Sequence, residues 1–494
     1  MTTRPRPVLL LAALASALLP TLLAACAKPP LASAPTAERQ SIAARLTQDI
    51  ATLASDEFAG RKPGTPGGQR TVDYLTKRFA EVGLTSGTND PGNPWRAPVA
   101  LTSVRFDSGR IEIMVEDRTI ALTDDEALAG TTRQRELIAE SEMVFVGYEA
   151  ESVPIESVRG KVAVMLADRS LNPERRILLE SKQASAVLII TDDADIVRGI
   201  RADSSQDRIA LTGEFEEVFF AIATHAAMAR ALGEERWSDL VAAANRGAFA
   251  PVALNATANI EASSVRRDFT SFNVVGRLEG TRPDTKAVLL MAHWDHLGLC
   301  APAGVADRIC NGANDNASGV AVMLELAQRL ADSGPFERDI YVVATTAEES
   351  GLLGAQAFVA NPPLPLTSVV AAFNFDTVAL AESGAPVGFV GEGRTPLDPI
   401  ILETLLAAER ALGSREYAES FLRRQDAWVL LQKGVPAVML SSARGSEITA
   451  GPYFESDYHS PSDDMDTIRL GGAIDDLLLH EALVKRLAIP VLSQ

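Results

Sequence analysis

The spacing of apolar residues changes several times along the chain, and each change predicts an element. After Thr36, Ile42, Leu46, Ile50 and Leu53 recur every three to four positions, the period of an amphipathic helix. Residues 55–61 break that period, and Gly64-Thr65-Pro66-Gly67-Gly68 reads as a turn. Residues 69–82 return to helical spacing through Val72, Leu75, Phe79 and Val82, closed by Gly83. Between about 100 and 262 the texture becomes short strands and turns, with strand-like runs at 144–148, 161–165 and 186–190.

Beyond 262 strands and helices alternate. Residues 272–278 read as strand, followed by a turn and then Val288-Leu289-Leu290-Met291, an apolar run with no polar interruption. Helical spacing follows at Val320, Met323, Leu324, Leu326, Ala327 and Leu330. Strands are expected at 339–346, 369–375 and 437–441, and helices at 397–412 and 474–487. The alternation predicts an α/β fold with a mixed, mostly parallel central sheet sandwiched by helices, and an inserted smaller β-rich α/β domain. The expected division is 37–99 for the first part of the main domain, 100–262 for the insertion and 263–494 for the catalytic part. No strand of the insertion ends in a cluster of metal-ligand types, so the insertion reads as non-catalytic.

The first residues read as targeting. Arg4 and Arg6 precede an apolar stretch over 8–25, then Cys26. Pro20 and the abrupt Lys28-Pro29-Pro30 argue against a membrane-spanning helix. Leu23-Ala24-Ala25-Cys26 resembles the bacterial lipobox, which implies a signal peptide over 1–25, a lipidated Cys26 and a flexible tether over 26–36. Ala27 in place of Asp favours the outer membrane by the same resemblance. Stable anchoring requires several acyl chains on Cys26. Plain secretion is the alternative.

Composition narrows the partners. A net charge of −19 argues against nucleic acid, whose phosphates require a basic face. Hydrophobic content of 47% and charged content of 22% are ordinary for a globular protein. Export places Cys300 and Cys310 in an oxidising compartment, where a disulfide is expected. Closing a loop of this size is worth about 3 kcal/mol in the chain-entropy model. A thiolate metal ligand is the rival role, but oxygen and imidazole ligands already suffice.

The candidate chemistry collects at predicted strand ends and loops. Of five histidines, His293, His296 and His459 fall in polar motifs, while His225 and His480 read as structural. His293, Asp315, Glu349, Asp376 and His459 offer two imidazoles and three carboxylates. That set suits two zinc-class ions if one carboxylate bridges them, holding a water between them and polarising a carbonyl. Mn2+ or Co2+ satisfies the same ligand types. Glu348 cannot easily share its neighbour's ion, since adjacent side chains diverge. It is placed to act as general base toward the water and then to protonate the leaving amine. Asp295, two residues from His293, is placed to orient that imidazole.

Ala-His-Trp-Asp-His-Leu-Gly at 292–298, Asn-Gly-Ala-Asn-Asp-Asn-Ala-Ser-Gly at 311–319, Thr-Thr-Ala-Glu-Glu-Ser-Gly at 345–351, Phe-Asn-Phe-Asp-Thr-Val at 373–378 and Tyr-His-Ser-Pro-Ser-Asp at 458–463 occur in order. Together they resemble the co-catalytic di-zinc aminopeptidase family that includes aminopeptidase Y and relatives of glutamate carboxypeptidase. Residues 57–65 resemble that family's entry segment, and 158–164 the most recognisable strand of the protease-associated domain inserted in many members. The resemblance covers about 37–100 and 263–490. It implies that His293, Asp315 and Asp376 hold one zinc, and that Asp315, Glu349 and His459 hold the other. It also implies Glu348 as general base and Asp295 as the carboxylate supporting His293. One departure stands out: Gln425-Asp426-Ala427 replaces a Ser-Asp-His segment near the substrate, which leaves the substrate preference open. Tyr453 and Tyr458 are both candidates to stabilise the oxyanion. The expected activity is zinc-dependent hydrolysis of the N-terminal peptide bond by an exported, lipid-anchored enzyme. The alternatives are a carboxypeptidase or glutaminyl cyclase using the same site, or a non-catalytic receptor-like module. The complete ligand set argues against the last two.

Overall fold

The computed structural model describes residues 35–167, 170–204, 206–247, 249–282 and 286–488. The expected signal peptide and the lipidation site Cys26 lie outside the described residues.

The uninterrupted apolar run forms the strand Ala287–His293, with all seven residues buried. It runs parallel to Ile340–Thr345 on one side and to Val369–Asn374 on the other. Ala437–Ser441 continues the parallel set, and Gly388–Val390 closes that edge antiparallel. The lack of polar positions has a direct cause, because this sheet is covered on both faces. Val288, Leu290 and Ala292 enter a core built with the helices Thr36–Leu53, Pro66–Val82, Gly319–Ser333 and Leu470–Ala488. Leu289 and Met291 enter the opposite core with Ala355 and Phe358 of the helix Leu353–Ala360. The architecture is the expected α/β sandwich with a mostly parallel sheet.

Local chemistry adjusts the element ends. The second helix starts at Pro66 rather than 69, because the Thr65 side chain accepts from the Gly68 amide at 3.2 Å and proline suits the first helical turn. The expected helix 397–412 is confined to Asp398–Ala407.

The region of short strands holds a larger difference. Arg96–Val115 and Val252–Leu278 are strands of 20 and 27 residues. They pair antiparallel from Arg96–Val274 to Met114–Thr257, with one register shift between Ser263 and Ser264. The positions 100 and 262 fall inside these strands. Their burial alternates between buried and partly exposed residues, and the inward positions of the longer strand include small alanines such as Ala256, Ala258 and Ala262. That weakens the apolar signal of a strand. Val274, near one end of the longer strand, belongs to the main core, whereas Leu254 and Ile260 belong to a second core. The second core contains Val162–Leu166, Ala186–Thr191 and Phe219–Thr224, three parallel strands. One sheet of fifteen strands among the described residues therefore runs through both cores.

The break after the first helix is a functional tie. In the turn Asp56–Arg61, Ala59, Gly60 and Arg61 all adopt positive φ, at 47°, 65° and 51°. A Cβ at Gly60 would lie 2.4 Å from the Cys310 carbonyl oxygen, so only glycine fits there. The turn drives the Arg61 guanidinium into the interior. It donates to the carbonyls of Leu53, Trp294, Asn311 and Gly312 at 2.5–2.9 Å, and more weakly to Asp315 at 3.3 Å. Burial lowers its pKa to about 10, which leaves it charged at neutral pH. Arg61→Met would strand several buried carbonyls at once, each costing roughly 1–3 kcal/mol when unsatisfied. We expect a markedly lower urea midpoint for Arg61→Met, with Arg61→Lys recovering only part, because an ammonium has three donors against five. An unchanged midpoint would show that these bonds carry no stability.

Candidate metal centre

Three parallel strands of the main core each deliver one part of the site beyond their carboxyl ends, where ligands gather in open α/β sheets. Ala287–His293 ends on His293 and continues into Asp295 and His296. Ile340–Thr345 runs on to Glu348 and Glu349, and Val369–Asn374 to Asp376. Asp315 lies in the loop before Gly319–Ser333, and His459 in the loop after Glu447–Ser456. Ala347, Thr377 and His459 take positive φ of 53°, 49° and 59°, unusual for non-glycine residues and common where a loop must aim a functional group.

The structure brings the five expected ligands together. His293 Nε2 lies 3.2 Å from Asp315 Oδ1 and 3.8 Å from Asp376 Oδ1. His459 Nε2 lies 3.0 Å from Glu349 Oε2 and 3.4 Å from Asp315 Oδ2. Among the described residues, two groups of candidate ligand atoms have all members within 4.8 Å of one another: His293, Asp315 and Asp376, and His296, Asp315 and Glu349. Asp315 belongs to both. His296, which sequence reasoning left without a role, meets Glu349 Oε1 at 2.5 Å through Nδ1. Its place in His-Trp-Asp-His, three residues from His293, was the available signal.

Glu348 Oε2 lies 3.9 Å from His293 Nε2, and the Glu348 amide donates to Asp295 Oδ1 at 3.1 Å. Asp295 stands 3.9 Å from His293 Nδ1 through its carboxylate, while its backbone oxygen is nearer at 3.2 Å. Its carboxylate therefore bonds Glu348's backbone, and its main chain is the closer partner of His293. Burial pushes the Glu348 carboxyl well above the usual range and Asp295 up to about 7. Burial also acts to raise Asp315, but His293 and His459 hold it well below its usual value.

Further residues position the loops. Asp463 accepts from the Asn314 and Asp315 amides at 2.9 and 3.0 Å and from the Tyr453 hydroxyl at 2.9 Å. The Asn316 amide group donates to His293 O at 3.2 Å and Phe375 O at 2.9 Å, and its oxygen accepts from Thr377 N at 3.1 Å. A Cβ at Gly312 would lie 2.1 Å from Asp315 O. Cys300 and Cys310 are joined as a disulfide with Cα atoms 5.7 Å apart, closing the hairpin Gly298–Leu299 with Ile309–Cys310. At the departure from the family pattern, Asp426 accepts from the Thr345 hydroxyl, and Ala427 is buried in apolar packing. Tyr458 stacks on His459 with ring centroids 3.7 Å apart.

This donor set fits a divalent cation. Asp295, Asp315, Glu348, Glu349 and Asp376 are crowded and mostly buried, and ionised carboxylates in that setting require compensating positive charge. Imidazole and carboxylate oxygen are zinc ligand types.

Residues 273–476 match the model of peptidase family M28. A probable lipoprotein aminopeptidase of Mycobacterium tuberculosis, LpqL, is 26% identical over 85% of this chain and 79% of its own length. Aminopeptidase YwaD of Bacillus subtilis is 52% identical over 93 residues, 18% of each chain. The structure of an aminopeptidase from Aneurinibacillus sp. strain AM-1 matches with a TM-score of 0.57 at 18% identity, covering 91% of this chain and 94% of that one. A zinc aminopeptidase from Bacillus subtilis matches with a TM-score of 0.50 at 17% identity, covering 91% and 96%. At these identities the two solved structures speak to the fold. The family match over residues 273–476, the relatives and a zinc-type donor set at the expected strand ends converge on a zinc-dependent metallo-aminopeptidase whose catalytic part is similar to peptidase family M28.

Proposed function

We propose that the enzyme removes the N-terminal residue from peptides with two zinc ions that share Asp315. The observation that carries this is that His293 and Asp376 on one side, and Glu349 and His459 on the other, meet around the buried Asp315 carboxylate, with Glu348 beside them. His293, Asp315 and Asp376 would hold one ion, and Asp315, Glu349 and His459 the other. His296 then orients Glu349 rather than binding metal, since it occupies Oε1 while Oε2 faces His459. When bound, such ions supply Lewis acidity to a peptide carbonyl and lower the pKa of water.

The chain's own groups do the rest. Glu348 takes the proton of the attacking water and delivers it to the leaving amine, from its position beside His293. Asp295 holds the Glu348 backbone in place. The Tyr453 hydroxyl is committed to Asp463, so Tyr458 is our candidate donor to the developing oxyanion. The acidic groups around Asp376 and Glu348 provide a counter-charge for the free amine of the substrate. The motif around Cys26, together with the lipoprotein name of the mycobacterial relative, supports an exported, lipid-anchored enzyme, with the body carrying the second core as a protease-associated-like insertion.

Two results are expected. Glu348→Gln should keep its zinc and lose roughly 10²–10⁴-fold in kcat, the usual contribution of a general base. Turnover that survives this change rules out the assigned mechanism. Purified enzyme should hold two zinc ions by elemental analysis, and His459→Ala about one, with cleavage of amino-acyl amides but not of their N-acetylated counterparts. Cleavage of blocked peptides with an acidic C-terminal residue would instead move the assignment to a carboxypeptidase.

A further inference from the structure

The fourth parallel strand, Ala437–Ser441, also ends at the site, and what it delivers is a cation. Its last turn, Ser442–Arg444, buries Arg444 to 3% exposure. The head group points at the metal centre, with Nη2 3.9 Å from Asp376 Oδ1. That distance is too long for a hydrogen bond. Among the described residues, Arg444 Nε and Nη1 meet no hydrogen-bond partner. The guanidinium carbon lies 4.3 Å from the ring centre of Phe421 and 4.9 Å from that of Phe454. Phe454 packs on Tyr458 at 5.1 Å, and Tyr458 on His459. An aromatic wall therefore runs from one expected metal ligand to the other, with a buried guanidinium set into it. Arg424 lies exposed over the same rings, 5.4–5.9 Å from their centres.

Ring faces attract a cation but offer no hydrogen-bond acceptor in the ring plane. A buried guanidinium with idle donors costs free energy unless an acceptor arrives. Its planar fork matches a carboxylate. Asp376 does not fill that role, because it is assigned to metal. We propose that Arg444 is a specificity-determining residue that receives a substrate carboxylate close to the scissile bond. This rests on the aminopeptidase reading. The carboxylate has two sources, the side chain of an N-terminal Asp or Glu, or the C-terminus of a dipeptide.

The zinc-loaded enzyme is compared on two isosteric pairs, Glu- against Gln-anilide and Leu-Ala against Leu-Ala-amide. The expected result is a preference for the carboxylate member of one pair by roughly tenfold or more in kcat/KM, about the worth of one charge-assisted contact. The pair that shows it identifies the source. Arg444→Met should bring that ratio near one, chiefly through KM, and Arg444→Lys should restore part of it. No preference in either pair, or a preference that survives Arg444→Met, overturns the proposal. A loss uniform across all four substrates, accompanied by loss of zinc, does so too, because it shows a role confined to holding Asp376. Should Arg444→Met fail to fold, Arg444→Lys decides by lowering the ratio or leaving it. If the wild-type enzyme turns over no free-amine substrate, the aminopeptidase reading fails by itself. Calorimetric binding of L-glutamate against L-glutamine and of succinate against succinamide, in wild type and Arg444→Lys, then still judges Arg444: a carboxylate preference reduced in the variant supports it, and equal binding overturns it.

Discussion

A crowded set of carboxylates at the ends of buried parallel strands is the constraint that the rest of the structure answers. Asp295, Asp315 and Asp376 are buried and Glu348 and Glu349 nearly so, where water screens them poorly, and left alone they would protonate or push the loops apart. His293, His296 and His459 stand within 2.5–3.2 Å of these carboxylates, and the donor set invites divalent ions to supply the compensating charge. The loops must then be held from behind, since metal ligands need fixed directions. Asp463 fixes the amides of Asn314 and Asp315, and Asn316 ties the loop to the ends of two strands. Arg61, donated by a turn more than 200 residues earlier in the chain, bonds the backbone of the same loops. Its cost of burial is offset by the several carbonyls it satisfies at once.

This arrangement explains which parts of the protein were legible in its sequence. Strand Ala287–His293 could be read because burial on two faces removes every polar residue, and the ligands stand out at its end. The helices Thr36–Leu53 and Gly319–Ser333 could be read because their apolar faces keep the helical period. The two long strands could not, since the longer one fills many inward positions with small alanines and their pairing spans some 150 residues. No local pattern encodes a partner that distant.

Within the site, residues that face the reacting groups were legible as types, and residues that face backbone were not. Glu348 and Glu349 announce themselves as a pair of acids after a strand. Asp463 and Arg61 bond main-chain atoms, and no side-chain motif reports that. His296 was visible in His-Trp-Asp-His, but its service to Glu349 depends on a contact across 53 residues. Arg444 follows an unremarkable strand, and its meaning appears only when Asp376 and the rings of Phe421 and Phe454 close around it.

The long strands also decide how the second core relates to the metal centre. A flexible linker would leave the two bodies free to move, but here the connection is an antiparallel ladder that continues the main sheet from one core into the other. Lys62 and Asp207 add an ion pair at 3.6 Å, which, half in solvent, is worth at most about 1 kcal/mol. The ladder therefore sets the geometry. Arg105 and Asp207, from the second body, line one cleft with Lys62, Cys300 and Arg308. The disulfide hairpin between His296 and Asn311 thus has the entry segment and metal ligands on one side and the inserted body on the other. A loop in that position has little freedom to fray, and closing it covalently reinforces both the ligand geometry and the seating of the insertion.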